Sequence, residues 1–404
     1  MDHAYPADCF SCPVQRPRQR PKVLTAAWRA RVQRALRSLC EDSDIAREVR
    51  AHSRGLLELC GGVEPAGIPL QGLRGLPVGA LELAAETGAV DPAYALASAA
   101  AHLHLQGRAG SWSVRLRGPR RLRFGRWLTA VGAEHRVEAA ADFIEVQTRC
   151  EAGTVSLLLE RSPVSWSARA RARALPAARL WEQHLPLFAT QHLELLQAHE
   201  RLESLDELTP QVCAEFEGAA RFVSLHAPEF VGWIRDVVAG LIPLRGSRTS
   251  TRSSTHPHRF GFVAASVGCS PVQLAEALVH ESSHEYFAMA ERVSELVNGA
   301  DPLLYYSPLR KCGRPIRSIF LAYHAVVNML LLYRASLAHG YRDDGYCAHY
   351  SQHYRKVAGD MLGDLSRSPG LTPAGRSFLE CTRIQLQLPM PEPVALAGGL
   401  RHVG

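Results

Sequence analysis

The stretch LAEALVHESSHEYFAMAERVSEL, Leu274 to Leu296, decides how the second half of this 404-residue chain is read. It follows Ser270-Pro271, a good N-cap residue and a good first-turn residue, so a helix is predicted over 271–298. His280 and His284 stand one helical turn apart, which projects both imidazoles from one face within reach of one ion. Leu274, Ala277, Leu278 and Phe287 supply apolar packing for the neighbouring faces. Two neutral imidazoles suit zinc, iron, copper or nickel. Glu281 follows the first of them, the place from which a glutamate activates water in HExxH peptidases. The plainer alternative is two surface histidines paired with acids. A strand before the helix, an apolar helix around the pair and the glutamate in place favour the metal.

A catalytic ion that keeps positions open needs about three protein ligands. Position 290 is Ala where the extended zinc-peptidase motif would place a third His. Glu291 and Glu295 lie further along the same helix, and Glu295 falls about 16 Å past His284 if the helix is unbroken. His324, a lone imidazole in IFLAYHAVVNMLLLY (319–333), is therefore the first candidate for the third ligand. A core histidine bonded to a carbonyl is its alternative reading. His256 and His258, in the polar loop GSRTSTRSSTHPH (246–258), are further candidates.

Outward from the motif, FGFVAAS (260–266) reads as a short buried strand, and 210–238, 316–338 and 343–364 read as helices. Toward the N-terminus, Leu24, Trp28, Val32, Leu36 and Leu39 recur at helical spacing from Val23 toward Cys60, and 93–105 is a second helix. Glycines and prolines break 61–90. Segments near 111–117, 121–128, 142–148 and 154–160 change to a period of two, which predicts a small antiparallel sheet. After about 165 the helical period is expected to dominate to about 385. The fold class is α+β, mainly α, with the small sheet in the N-terminal half and a helical catalytic half around the HExxH helix. The expected organisation is a flexible tail over 1–22, a helical region with the inserted sheet over 23–190, a metal-binding domain over 191–390 and a tail over 391–404.

Composition limits the partners. A hydrophobic fraction of 47% and a charged fraction of 21% are those of a soluble globular protein, and no run approaches the ~18 apolar residues of a membrane span. The N-terminus lacks the apolar core of a signal peptide, which makes the cytoplasm the expected location. A net charge of +7 would suit nucleic acid, but 43 of the 46 basic residues are Arg, scattered among acids as codon composition scatters them. RLRGPRRLRFGR (115–126) and RARAR (169–173) read as solvated surface, with a basic groove for an acidic peptide left open. Neither a nucleic acid nor a membrane is expected as a partner. The ten Cys show no disulfide framework, and Cys9-x-x-Cys12 is half of a zinc ribbon without its second half.

FGFVAAS (260–266), LVHESSHEYF (278–287) and YYSPLRKCGRPIRSIFLAYHA (305–325) together resemble the bacterial HExxH-type α-ketoglutarate-dependent peptide β-hydroxylases, which occur with clusters for ribosomally made, modified peptides. The resemblance covers about residues 255–335. It implies a mononuclear Fe(II) oxygenase with α-ketoglutarate and O2 as co-substrates, acting on a ribosomal precursor peptide. His280 and His284 match the family's metal-binding pair, and Arg310 and Arg314 match its SPxR…RP element. The planar fork of an arginine accepts a carboxylate bidentately, so Arg314 is expected to hold the distal carboxylate, with Arg310 and Arg317 as alternatives. Ser307 or Tyr306 would be its hydroxyl partner. Glu281 would orient a ligand or a water. A zinc metallopeptidase with Glu281 as general base, and a non-catalytic scaffold for peptide-modifying enzymes, are the competing readings.

Overall fold

A computed structural model describes residues 8–13, 20–42, 78–86, 90–105, 111–124, 127–161, 166–169, 173–181, 183–192, 204–246, 251–256, 260–342 and 345–387, with the single positions 47, 54 and 56. The protein is α+β and mainly helical, with its antiparallel sheet in the N-terminal half.

Among the described residues, four helices come first: α1 (Asp8–Ser11), α2 (Arg20–Glu41), α3 (Val78–Glu86) and α4 (Pro92–Leu105). A five-stranded antiparallel sheet follows, in the order β1 (Trp112–Arg120), β4 (Gly132–Ala140), β5 (Phe143–Cys150), β6 (Gly153–Arg161) and β7 (Trp166–Arg169). Its buried face is set by the period of two: Val137 faces Val146, Val146 faces Leu157, and Ile144 faces Leu159 across the strands. Short strands β2 (Arg123–Phe124), β3 (Trp127–Leu128) and β8 (Arg173–Ala174) form a second sheet, and β9 (Ala177–Leu180) with β10 (Gln183–Pro186) a hairpin.

The helical period expected after about residue 165 therefore does not hold through Pro186, where strands stand instead. Pro176 and Pro186 bracket β9 and β10, and Trp181 turns the hairpin with φ 47°. The Trp181 indole N–H donates to the Ala220 carbonyl and the Ser224 hydroxyl, at 3.1 and 2.9 Å, which holds the hairpin on the helix that follows. The basic run at 115–126 is likewise not all solvated. Arg115 pairs with Glu134 but stays exposed, whereas Arg123 packs between the rings of Phe188 and Phe262. Residues 170–172 of the basic run at 169–173 and the side chain of Cys9 lie outside the described residues, as do 43–46, most of 48–77 and 388–404.

The second half comprises α5 (Pro210–His226), α6 (Glu229–Val237), β11 (Gly240–Leu244), β12 (Ser253–Ser254), β13 (Phe262–Ser266), α7 (Pro271–Val293), β14 (Leu304–Ser307), β15 (Cys312–Pro315), α8 (Ile316–Ala338), α9 (Tyr346–Arg367) and α10 (Pro373–Leu386). Pro228 splits the helix expected over 210–238, because it offers no N–H to continue the ladder. β13 pairs parallel with β11 and antiparallel with β12, and its five residues are all buried. The break between α7 and α8, where the sequence shows Ser307-Pro308, is an antiparallel β14–β15 hairpin. α8 is long and apolar enough to span a membrane, but 83% of its apolar window is buried inside the protein.

Part of the expected N-terminal tail is core. Phe10, Ser11 and Cys12 are buried as α1 packs against α7 and α10. One continuous apolar cluster runs from Phe10 to Leu386, across the expected boundary at 190. The eight cysteines described are free thiols.

Candidate metal centre

α7 begins with a capping box: the Ser270 hydroxyl accepts from the Gln273 N–H, while the Gln273 side chain accepts from the Ser270 N–H. Its buried sides carry Leu274, Ala275, Leu278, Val279, Tyr286, Phe287 and Met289. These pack against β13, α5, α6 and α8. The Tyr286 ring stacks on Trp233 at 3.6 Å between centroids, and its hydroxyl donates to the Trp233 carbonyl at 3.1 Å. Glu285, also buried, accepts from the N–H of Gly261, whose φ of 84° suits glycine and turns the chain into β13. These contacts fix the rotation of α7 about its axis, and the half-buried face left over presents His280 and His284.

The two Nε2 atoms are 2.9 Å apart. Nitrogens held ~2.1 Å from one ion stand about 3.0 Å apart at a right angle and about 3.4 Å apart in a tetrahedral frame. The pair is thus already spaced to share an ion. Burial holds the pKa of His284 well below the ordinary imidazole value, and the positive charges of His280, His324 and Arg310 push it the same way. The neutral imidazole that results is the form that binds metal. Glu281 is 1% exposed. Its Oε1 lies 3.8 Å from His280 Nε2, and its buried Oε2 accepts no hydrogen bond among the described residues. An orphaned carboxylate oxygen at that place fits a cation or a water beside the pair.

The pair opens on a cavity of about 390 Å³. One wall is β12 and the residues after it, Ser253 to His256. The other is the β14–β15 hairpin with the start of α8, which brings in Ser307, Arg310, Arg314 and Arg317. Every arginine considered from the sequence is therefore in the cleft, but they differ in engagement. Arg317 is held by Glu291 through two contacts, at 2.7 and 2.5 Å. Arg310 and Arg314 have no acidic partner among the described residues. Ser307 is buried, and its Oγ accepts from the Arg310 N–H at 3.3 Å, which shapes the turn that carries Arg310. Tyr306, the other candidate hydroxyl, points to solvent, 55% exposed. Glu295 lies beyond the end of α7 and does not line the cleft.

His324 departs from the expectation. It is fully buried in α8, and its Nε2 lies 2.7 Å from the Ser11 carbonyl of α1, which also accepts from Asn328 Nδ2 at 3.2 Å. It does not line the cleft, so the reading as a core histidine bonded to a carbonyl holds and the ligand reading is corrected. The physical reason is the insertion of α1 between α7 and α10, which brings a carbonyl to the ring. His256 does line the cleft, whereas His258 lies outside the described residues. Among the described residues no third His, Cys, Asp or Glu joins the pair. The pairing of the 246–258 loop with β13 at β12 and the Glu291–Arg317 pair were missed from sequence. Neither gives a local signal, since Glu291 and Arg317 are 26 residues apart.

Burial pushes His324 down to about 4, with the Ser11 carbonyl opposing. An unfolded histidine titrates near ~6.5. Between those values the unfolded chain binds a proton that the folded chain refuses, so this stability is present above pH ~6.5 and is lost as the pH falls toward 4. The loss is on the order of 3 kcal/mol. Urea unfolding of the wild type and of His324→Leu is expected to show the variant less stable at pH 7.5, with the gap narrowing as the pH drops to 4.5. A constant gap would mean that His324 takes up its proton as readily in the fold as in the unfolded chain.

No protein-family model matches this sequence, and no curated protein matches it.

Proposed function

We propose that the protein is an Fe(II)/α-ketoglutarate-dependent oxygenase that hydroxylates the β-carbon of a residue in a ribosomally synthesised precursor peptide. The observation that carries this reading is the presence of two arginines without acidic partners among the described residues, Arg310 and Arg314, in the cleft of the converged histidine pair. Hydrolysis at a two-histidine ion has no need of them. A dicarboxylate co-substrate with one end at the ion needs a cation at its other end. A cavity of about 390 Å³ is in the lower part of the ~300–1,000 Å³ range of small-molecule sites, enough for α-ketoglutarate and one substrate side chain.

When bound, Fe(II) with α-ketoglutarate and O2 supplies hydroxylation of a C–H bond, with succinate and CO2 as co-products. The residues of the chain do the remainder. His280 and His284 hold the ion. The half-buried Arg314 binds the distal carboxylate through its guanidinium N–H groups, with Arg310 beside it on a turn shaped by Ser307. Glu281 orients a water or a ligand from its buried position. Arg317 stays with Glu291 and keeps that wall in place. A cytoplasmic location, where reduced iron and α-ketoglutarate are both supplied, belongs to the same reading.

Arg314→Gln is expected to raise the KM for α-ketoglutarate about 30- to 160-fold, as loss of ~2–3 kcal/mol of charge-assisted bonding requires. Fe(II) affinity should stay within about twofold. Succinate release at varied α-ketoglutarate measures the first, and iron titration the second. An unchanged KM would remove Arg314 from the site.

One observation favours the second reading, a zinc metallopeptidase: the free buried oxygen of Glu281 beside His280 is where a general base would stand. Glu281→Gln separates the two. A peptidase would lose about 10²–10⁴-fold in cleavage of an unfolded protein, while an oxygenase would keep forming succinate.

A further inference from the structure

Seven large apolar side chains are exposed among the described residues, and four of them, Leu303, Leu304, Tyr306 and Leu309, fall within one seven-residue stretch. That stretch builds the β14–β15 hairpin at the cleft. β14 alternates as a strand must. Leu304 and Tyr306 face solvent, 66% and 55% exposed, while Tyr305 turns inward to donate its hydroxyl to Asp301 at 2.6 Å and Ser307 is buried. Across from Leu304 and Tyr306 stand Pro315 and Gly313, both exposed. The outer face of the hairpin thus presents Leu304, Tyr306 and Pro315, with the Leu304 side chain lying beside Gly313.

Three further facts define what fits there. Neither strand has a second neighbour among the described residues, so the hairpin offers sheet edges to an added strand. The turn carries Arg310 and Lys311, both exposed and without an acidic partner among the described residues. The inner side of the same hairpin lines the cleft with Ser307, Arg310 and Arg314. The anchoring is firm: Asp301, which accepts from Tyr305, also accepts from the buried Ser368 hydroxyl.

We propose that the β14–β15 hairpin docks an extended polypeptide segment, with apolar side chains at alternate positions and acidic residues between or beside them, and leads it to the cleft. Alternate side chains of an extended segment repeat every ~6.6 Å, the spacing at which Leu304 and Tyr306 stand on their own strand. Arg310 and Lys311 select acidic flanks. A second copy of the chain would bring the same cations on a surface of net charge +7, so charge favours an acidic peptide over self-association. The inference deepens the peptide-oxygenase reading and rests on it for what happens in the cleft.

The test uses the full chain and a fluorescein-labelled synthetic peptide alternating Glu with Val or Leu, compared with the same peptide carrying Lys for Glu. Fluorescence anisotropy is expected to show the Glu peptide binding at least tenfold more tightly. Leu304→Asp and, separately, Lys311→Glu should each weaken it at least fivefold with unchanged circular dichroism, both side chains being exposed. No binding by the wild type, equal binding of the two peptides, or variants that bind as the wild type does would overturn the proposal. So would a concentration-dependent dimer in sedimentation that Leu304→Asp abolishes, which would give the face to a second copy. Peptide-free succinate formation by the wild type reports on the oxygenase reading separately. Absence of succinate both without and with peptide, alongside selective peptide binding, would sink that reading and leave the docking surface standing.

Discussion

His284→Ala is expected to reduce bound metal to background and to abolish succinate formation from α-ketoglutarate, Fe(II) and O2. The reason is geometric. One imidazole cannot hold an ion at the place where two nitrogens now stand 2.9 Å apart, and no third ligating side chain is gathered there among the described residues to compensate. The effect should exceed the ~10–100-fold that loss of a mere supporting partner costs a metal site. Stability should change little, because His284 faces the cleft from a helix whose buried sides are untouched. His324→Leu is the control. It should bind metal as the wild type does while unfolding at lower urea, since its ring bonds the Ser11 carbonyl. Metal retained by His284→Ala and lost by His324→Leu would reverse the assignment. Full metal loading without succinate under any condition would end the oxygenase reading and leave the peptidase.

The largest effect on stability is expected at Glu82. Arg31 of α2 donates from Nε and Nη2 to the two carboxylate oxygens of Glu82 in α3, at 2.9 and 2.6 Å, and both side chains are almost wholly buried. The guanidinium also lies over the Phe260 ring at 4.7 Å, and Arg292 near the end of α7 approaches the same carboxylate at 3.8 Å. Glu82→Ala leaves Arg31 buried without its counter-charge, which costs about 3–5 kcal/mol. Against a typical total of ~5–15 kcal/mol that is a large part of the stability. Urea unfolding followed by circular dichroism measures it. The double variant Arg31→Met, Glu82→Leu should recover most of the loss, because well-packed apolar side chains avoid the desolvation of both charges. A single variant within ~1 kcal/mol of the wild type would show that Arg31 reaches solvent instead.

Much of this was legible in the chain. The capping residues Ser270 and Pro271, the spacing of His280 and His284, the limits of α8 at 316 and 338, and the alternation that builds β5 and β6 are encoded within a few residues of one another. Dihedral preference, capping and the side-chain periods of 3.6 and 2 act over that range, so sequence alone determines them. The expectation of a helical period after about 165 failed over 173–186, where two prolines and the anchoring of Trp181 on α5 decided for strands. What only the tertiary structure decided is the choice of partners. His324 bonds a carbonyl 313 residues away, and Arg317 belongs to Glu291, which leaves Arg310 and Arg314 to face the histidine pair. Such choices follow from which surfaces meet when helices pack. Every buried polar group must find whatever partner that packing brings, and no local period in the sequence records it.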